Sequence, residues 1–496
     1  MPNSSPMNVL FMAAEADPLI KVGGLGDVAG SLPRAIRALT RSSDDKSLEL
    51  DIRLVIPFHP AIHSDVFTPH LVCEFPIHST NGEIVVKAFS LDLDGFPVYL
   101  IGGTPIDQET AVYSLDLEAD GYKYVFFSLA TLELARKLNW KPDILHANDW
   151  HTASAVYSIG LHRLSDPFFS HISTLLTVHN LPYLGSMTEP ALDAFELPAA
   201  DHSDLPIWAQ HMALPLGLLA ADSIVAVSPG YAKEILTEDF GSGLHIFLRA
   251  HREKLIGILN GLDTFLWDPG RDIELNTNFS IDNLPARSEN KIFLQKELGL
   301  EINQRFPLLA MVTRIDPQKG VDLAVAALRL LLSPANTNSN RFQAVFLGSG
   351  NPILESIVRK LEADYPDQIR ARIMYNDQLS RHIYAGADAL LMPSRYEPCG
   401  LSQMIAMHYG CVPVARATGG LSDTIVDASS TNQGTGFLFK KIDPTELANA
   451  IQRALNIYTH DPQGCQKIQI RAMQQDFSWA RSADKYLKHY RKLSGI

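Results

Sequence analysis

The chain has 496 residues, enough for about three domains of roughly 150 residues or two larger ones. Hydrophobic residues make up 46% and charged residues 20%, an ordinary globular balance, and 31 glycines with 30 prolines exclude collagen-like and low-complexity chains. The net charge of −13 argues against a nucleic-acid partner, and no apolar run reaches the ~18 residues of a membrane helix, so no membrane partner is expected either.

Short apolar runs alternate with amphipathic stretches almost throughout. Residues 8–12 read as a buried strand, and Val28, Leu32, Ala35, Ile36 and Leu39 then recur at helical spacing. Further strands are expected at 51–56, closed by Pro57, and at 98–101, 144–147, 174–178 and 223–227. The pattern restarts after Pro307, with strands at 308–312, 344–347, 371–375, 389–392 and 412–415 and a helix over 321–332. Residues 478–493 read as a last helix with Trp479, Ala483, Tyr486 and Tyr490 on one side. Strands alternating with helices predict βαβ units, and two such series predict two doubly wound α/β domains with a boundary between Asn260 and Asn283. The cleft between two such domains is the natural ligand site. Cys73, Cys399, Cys411 and Cys465 show neither CxxC nor zinc spacing, which fits a reducing compartment. The few residues ahead of the first strand are too short for a signal or transit peptide, so a cytoplasmic location is expected.

The loop Lys21-Val22-Gly23-Gly24-Leu25-Gly26-Asp27 follows the first strand and opens the first helix. Bare glycines let a phosphate approach backbone N–H groups at a helix N-terminus, and Lys21 adds a cation. Asp27 taken alone also suits a helix N-cap. Gly24, Gly26 and Ala29 formally match the dinucleotide fingerprint, but that fingerprint needs its glycines directly after the strand, and residues 13–22 intervene.

His146-Ala147-Asn148-Asp149-Trp150-His151 and Thr177-Val178-His179-Asn180 each end a strand, where polar groups face the crevice of an open sheet. The spacing suits hydrogen bonding to a polar ligand better than zinc. In the second half, Thr313-Arg314-Ile315-Asp316-Pro317-Gln318-Lys319-Gly320 carries two cations on one strand-to-helix loop. That is a setting for a diphosphate whose charge grows as a bond breaks. Pro393-Ser394-Arg395-Tyr396-Glu397-Pro398-Cys399-Gly400-Leu401 places Glu397 between a strand end and a helix start, where its carboxylate can engage a sugar. Cys399 has no His close by in sequence to make it a nucleophile. Thr418-Gly419-Gly420 opens another helix that can take a phosphate or sugar hydroxyls.

The run 21–27, the loop 314–320 and residues 382–400, HIYAGADALLMPSRYEPCG, together resemble the bacterial glycogen synthase and plant starch synthase family, over almost the whole chain and in the same order. The resemblance implies a GT-B fold, with two Rossmann-like doubly wound domains facing each other across a deep cleft. It implies an N-terminal glucan-acceptor domain over 1–265, a nucleotide-sugar-binding domain over 266–477, and a final helix over 478–496 crossing back to the first domain. The implied activity is retaining transfer of glucose from ADP-glucose to the non-reducing end of an α-1,4-glucan, as in glycogen or starch synthesis. The family needs no metal and no further cofactor.

Carried over by the same resemblance, Lys21 and the Gly23 and Gly24 amides would meet the phosphates and donor sugar, with Asp27 beside them. Asp149 and His151 would line the reaction centre and His179 would hold the donor glucose. Arg314 and Lys319 would neutralise the ADP leaving group, next to Gln318. Asn260 and Glu397 would reach the sugar, backbone groups of Cys399, Gly400, Leu401, Thr418, Gly419 and Gly420 would hold sugar or phosphate, and Tyr375 would lie by the adenine. Three positions depart from the family pattern. Asn148 stands where many bacterial members have a second His, Asp120-Gly121-Tyr122-Lys123-Tyr124 replaces the usual acceptor-side run, and Ile405 stands where related enzymes have a second Glu. A UDP-glucose enzyme of the same fold, an inactive carbohydrate-binding protein and a dehydrogenase are the alternative readings, in falling order.

Overall fold

Buried strands pair side by side in two separate sheets. The computed structural model describes residues 6–42, 49–62, 66–108, 110–334, 341–429 and 431–495. Most of the stretch read as too short for a leader lies outside the described residues. The chain forms two compact units, Met1–Gly261 with Trp479–Ile496, and Leu262–Ser478.

The first unit carries β1 (Met7–Met12), β2 (Leu50–Pro57), β3 (His70–Ser79), β4 (Gly82–Leu93), β5 (Phe96–Gly102), β6 (Ile144–Asn148), β7 (Ser173–Val178), β8 (Ser223–Ala226) and β9 (Leu255–Gly257). Their order in the sheet is β3-β4-β5-β2-β1-β6-β7-β8-β9. β1 pairs in parallel with β2 on one side and β6 on the other. The chain winds outward from β1 in one direction and then in the other, so β1 and β6 flank the topological switch point, outside whose C-terminal ends ligands bind. Val9, Phe11, Ile144, Leu145 and Ala147 are fully buried, as central parallel strands require.

β3 and β4 form an antiparallel hairpin that the sequence reading passed over. Leu71 and Val85 face solvent while Phe75, Val86 and Ala88 turn inward, so the hairpin lacks the continuous apolar run of a central strand. The three-residue β9 was too short to stand out.

The second unit carries β10 (Leu308–Val312), β11 (Gln343–Leu347), β12 (Ile369–Arg372), β13 (Ala389–Met392), β14 (Val412–Arg416) and β15 (Phe437–Phe439). The order is β12-β11-β10-β13-β14-β15, with every pairing parallel. Here the winding reverses between β10 and β13. Its core joins Ala324, Ala327 and Leu328 of the helix Val321–Leu332 to Phe342, Phe346 and Val414. β12 lies two residues ahead of the expected 371–375, because the half-buried Arg370 and Arg372 disguise an edge strand. The unit begins at Leu262 rather than 266. Within the expected boundary stretch Asp272 is buried in this unit, where Arg381 and the Tyr409 hydroxyl donate to it at 3.0 and 2.6 Å.

The closing helix, Trp479–Ser494, belongs to the first unit and buries Trp479, Ala483, Tyr486 and Tyr490. Its polar anchors are specific. Tyr490 Oη meets His146 Nδ1 at 2.6 Å, Ser482 donates to Leu259 O at 2.6 Å, and His489 Nε2 meets Ser223 Oγ at 2.7 Å. A Cβ on Gly261 would stand 2.6 Å from Trp479 Cα, so the chain leaves the sheet in contact with the returning helix. Among the described residues no helix is long and apolar enough to cross a membrane.

Tyr490→Phe leaves His146 Nδ1 without its partner in a fully buried position. The expected cost is about 1–3 kcal/mol. Urea unfolding followed by tryptophan fluorescence measures it, and an unchanged midpoint would show that the helix is held by apolar packing alone.

Candidate active site

The loop after β1 is wired inward by a residue the sequence reading missed. Glu15 is 1% exposed and accepts the Val22 N–H, the Gly23 N–H at 3.1 Å and the Tyr113 hydroxyl at 2.9 Å. Burial raises its carboxyl above the usual range, against the lowering effect of those donors. The signal available in sequence was an acid set in the small apolar run Ala13-Ala14-Glu15-Ala16 directly behind a strand. The Gly23 amide, expected to face phosphate, is thus engaged by the protein's own carboxylate. The helix begins at Gly24, so Asp27 lies in its first turn instead of capping it, and its Oδ1 pairs with Lys21 Nζ at 2.6 Å.

Tyr113 is held from below. Lys123, fully buried, donates to Ala111 O and Val112 O at 3.1 and 2.8 Å and pairs with Asp120 at 2.6 Å, while Asp120 accepts the Ser114 N–H at 2.9 Å. The run 120–124, where the chain departs from the family pattern, therefore supplies a buried strut under the loop carrying Tyr113.

Asp149, the residue after β6, has φ 57° and ψ −172°, a backbone region that is costly for any residue but glycine. Three contacts hold it there. Its N–H donates to Thr177 O at 2.8 Å, and its Oδ1 accepts the backbone N–H groups of His179 and Asn180 at 2.7 and 3.4 Å. Burial pushes its carboxyl up to about 7, opposed by the two amides. His179 Nε2 lies 2.9 Å from Asn148 Oδ1, and burial takes its pKa down to about 3, so the ring is neutral. His151 packs against Tyr124 and Trp150 with ring centroids 4.5 and 4.3 Å away, and burial holds its pKa well below the usual value. Among the described residues the buried His151 Nδ1, Asn180 Oδ1 and Asn260 Oδ1 have no hydrogen-bond partner, which is uncommon for buried polar atoms and marks them as groups with capacity for a ligand. His146, at the same strand end, has both ring nitrogens engaged, one by Tyr490 of the closing helix and one by Thr177.

In the second unit the loops after β10 and β13 meet. Lys319 Nζ lies 2.8 Å from both carboxylate oxygens of Glu397, and Ser394 donates to Glu397 Oε2 at 2.9 Å. Gln318, expected to bind substrate, bridges the loops: its Nε2 donates to Tyr396 O at 3.2 Å and its carbonyl accepts the Arg395 N–H at 2.7 Å. Contact this close requires glycine at 320, whose φ is 69° and whose Cβ would stand 2.2 Å from Pro393 O. Gly420 is packed the same way, with a virtual Cβ 2.1 Å from Cys399 O, and it donates to Glu397 O at 3.0 Å.

The remaining expected residues divide. Cys399, Thr418, Gly419 and Gly420 are buried around Glu397, and the Cys399 and Gly400 carbonyls accept Gln403 Nε2, with Leu401 half-buried beside them. Arg314 pairs with Asp316 at 3.3 Å and keeps 60% of its side chain exposed, apart from the Lys319–Glu397 pair. Tyr375 lies beyond β12 and is 86% exposed. Among the described residues no group of three His, Cys, Asp or Glu side chains is set to hold a metal ion.

Comparison with known proteins matches both halves of the chain to glycosyltransferase families. Residues 8–250 match the starch synthase catalytic domain and residues 296–469 match the glycosyl transferases group 1 family. A glycogen synthase of Thermotoga maritima is 37% identical over 98% of this chain and 99% of its own length, and one of Desulforudis audaxviator is 35% identical over 98% and 96%. The catalytic domain of starch synthase IV from Arabidopsis thaliana, solved bound to ADP and acarbose, superposes with a TM-score of 0.86 at 31% identity, covering 99% of this chain and 100% of that one. This chain belongs to the glycogen and starch synthase family of GT-B glycosyltransferases, enzymes that build α-glucan from a nucleotide-sugar.

Proposed function

We propose that the enzyme transfers glucose from ADP-glucose to the non-reducing end of an α-1,4-glucan with retention of configuration, in the cytoplasm and without a metal ion. The observation that carries this reading is the Lys319–Glu397 pair at 2.8 Å on two glycine-joined loops. A cation preorganised beside a carboxylate can turn to a departing diphosphate while the carboxylate takes sugar hydroxyls. Arg314, exposed on the same loop, adds a second charge for the leaving group. Lys21 and the helix start at Gly24 serve the donor, and Asp149, His151, His179 and Asn260 supply neutral or amide-bound groups to the sugars. The ADP and acarbose carried by the Arabidopsis relative support these substrate classes, and the bacterial relatives support the compartment.

The deciding experiment offers labelled ADP-glucose and UDP-glucose separately with maltooligosaccharides and sizes the products. Elongation from ADP-glucose, persisting in excess EDTA, is expected. Preference for UDP-glucose, or a loss in EDTA restored by magnesium, would overturn the donor or the metal-free reading.

Lys319→Ala is expected to lower kcat by about a hundredfold, the usual effect of removing one preorganised charge from a transition state, and also to lower the unfolding midpoint, since the buried Glu397 loses its cation. Near-normal turnover in the folded variant would remove Lys319 from the chemistry.

Asp149 links activity to stability. Its folded pKa lies above the unfolded value of 3.8, at about 7, so its contribution to stability is complete below the lower value and lost as pH rises through the upper one. Asp149→Asn is therefore expected to match wild type in stability near pH 4 and exceed it at pH 8, by on the order of 2–4 kcal/mol, while losing turnover. Destabilisation at pH 8 would show that the amide contacts outweigh the buried charge.

A further inference from the structure

We infer that Asn148 is a positioning residue that fixes His179 in one neutral tautomer, so that the ring acts toward the donor sugar as a hydrogen-bond acceptor through Nδ1. The inference rests on the reading that His179 meets the donor. It starts from the amide of Asn148, which is fully buried. Its Nδ2 donates to Met12 O at 2.8 Å, and its Oδ1 faces His179 Nε2 at 2.9 Å. Met12 O can only accept, so the amide has one admissible orientation. The reverse would set two oxygens 2.8 Å apart. With Oδ1 toward the ring, His179 Nε2 must carry the hydrogen.

A neutral imidazole has one N–H, so Nδ1 is left as a bare lone pair. The ring is neutral because burial depresses its pKa to about 3, and the buried His146 and His151, both held below the usual range, add no acidic partner that would recharge it. The residue's backbone is fixed by the next link of the same chain segment, since Asp149 Oδ1 accepts the His179 N–H at 2.7 Å. Consecutive residues at the end of β6 thus set the backbone and the ring of one residue at the end of β7. An accepting Nδ1 selects ligand hydroxyls, which can donate, over phosphate oxygens, which cannot.

The test reads the tautomer and the donor kinetics of the full chain together. In histidine labelled with 15N, His179 is expected at pH 7 as the Nε2–H form, with Nδ1 shifted as an unprotonated nitrogen. Asn148→Ala frees the ring and should raise KM for ADP-glucose about tenfold, the effect of one misdirected buried hydrogen bond, with kcat less affected and KM for maltooligosaccharide unchanged. Asn148→Asp puts a carboxylate at Nε2, favours the imidazolium, places a hydrogen on Nδ1 and should weaken the donor further than Ala does. An Nδ1–H or doubly protonated ring in the wild type overturns the inference, and that spectrum decides even where a variant fails to fold. Donor KM unchanged in both folded variants overturns it as well. If His179→Ala leaves donor KM unchanged while the wild-type ring is the Nε2–H form, the underlying reading of His179 has failed and not the tautomer.

Discussion

Reversal of winding at a central parallel strand is the constraint on which both units depend. A parallel sheet cannot turn back on itself with a short hairpin, so loops following adjacent central strands leave in opposite directions and expose the strand ends between them. In the first unit these are the ends of β1 and β6, and in the second those of β10 and β13. The groups with chemistry lie there because elsewhere the strands are covered on both faces. The constraint has local consequences. Loops sharing a strand end must approach closely, and Gly320 against Pro393 O and Gly420 against Cys399 O are where a side chain would force them apart.

Charges at these strand ends come in pairs. Lys21 faces Asp27, Arg314 faces Asp316 and Lys319 faces Glu397. The first two pairs are solvated and contribute little to stability. The third is mostly out of water, with side-chain exposures of 18% and 6%, and removing either partner would strand a buried charge. Pairing therefore does two things: it makes a concentrated charge tolerable, and it leaves the cation directed by its neighbour before any phosphate competes for it. On the proposed reading, a phosphate that takes Lys319 would also free Glu397 for another donor.

The sequence shows what periodicity can encode and little of what contacts encode. The central strands were legible because residues buried on both faces leave continuous apolar runs, as in residues 308–312 and 389–392, and the closing helix because Trp479, Ala483, Tyr486 and Tyr490 share one face. The β3–β4 hairpin was not, since a sheet margin with one wet face alternates, and neither was the register of β12, whose arginines resemble a loop. Among the candidate site residues, those on glycine-rich loops or strand ends stood out. Glu15 and the Asp120–Lys123 strut did not, because a buried acid or lysine is recognisable only through its partners: Tyr113, far off in sequence, for Glu15, and the 111–114 backbone, which shows no pattern of its own, for the strut. Gln318 was legible as a loop residue, but its bridging role depends on Tyr396 and Arg395, which no local pattern discloses.

Electrostatic character also differs between the two sets of strand ends. In the first unit burial works against charge: His151 and His179 are held neutral, and Asp149 is raised to about 7. A glucosyl group is uncharged and offers hydroxyls, so desolvated neutral acceptors and donors discriminate among its positions without attracting anions. In the second unit Lys319 and Arg314 share one loop and each lies against a carboxylate, Glu397 at 2.8 Å and Asp316 at 3.3 Å. Burial that disfavours an unpaired charge is offset at Lys123 and Lys319 by a carboxylate at 2.6 and 2.8 Å. Each sheet, through its own switch point, gathers a different set of these groups at its strand ends.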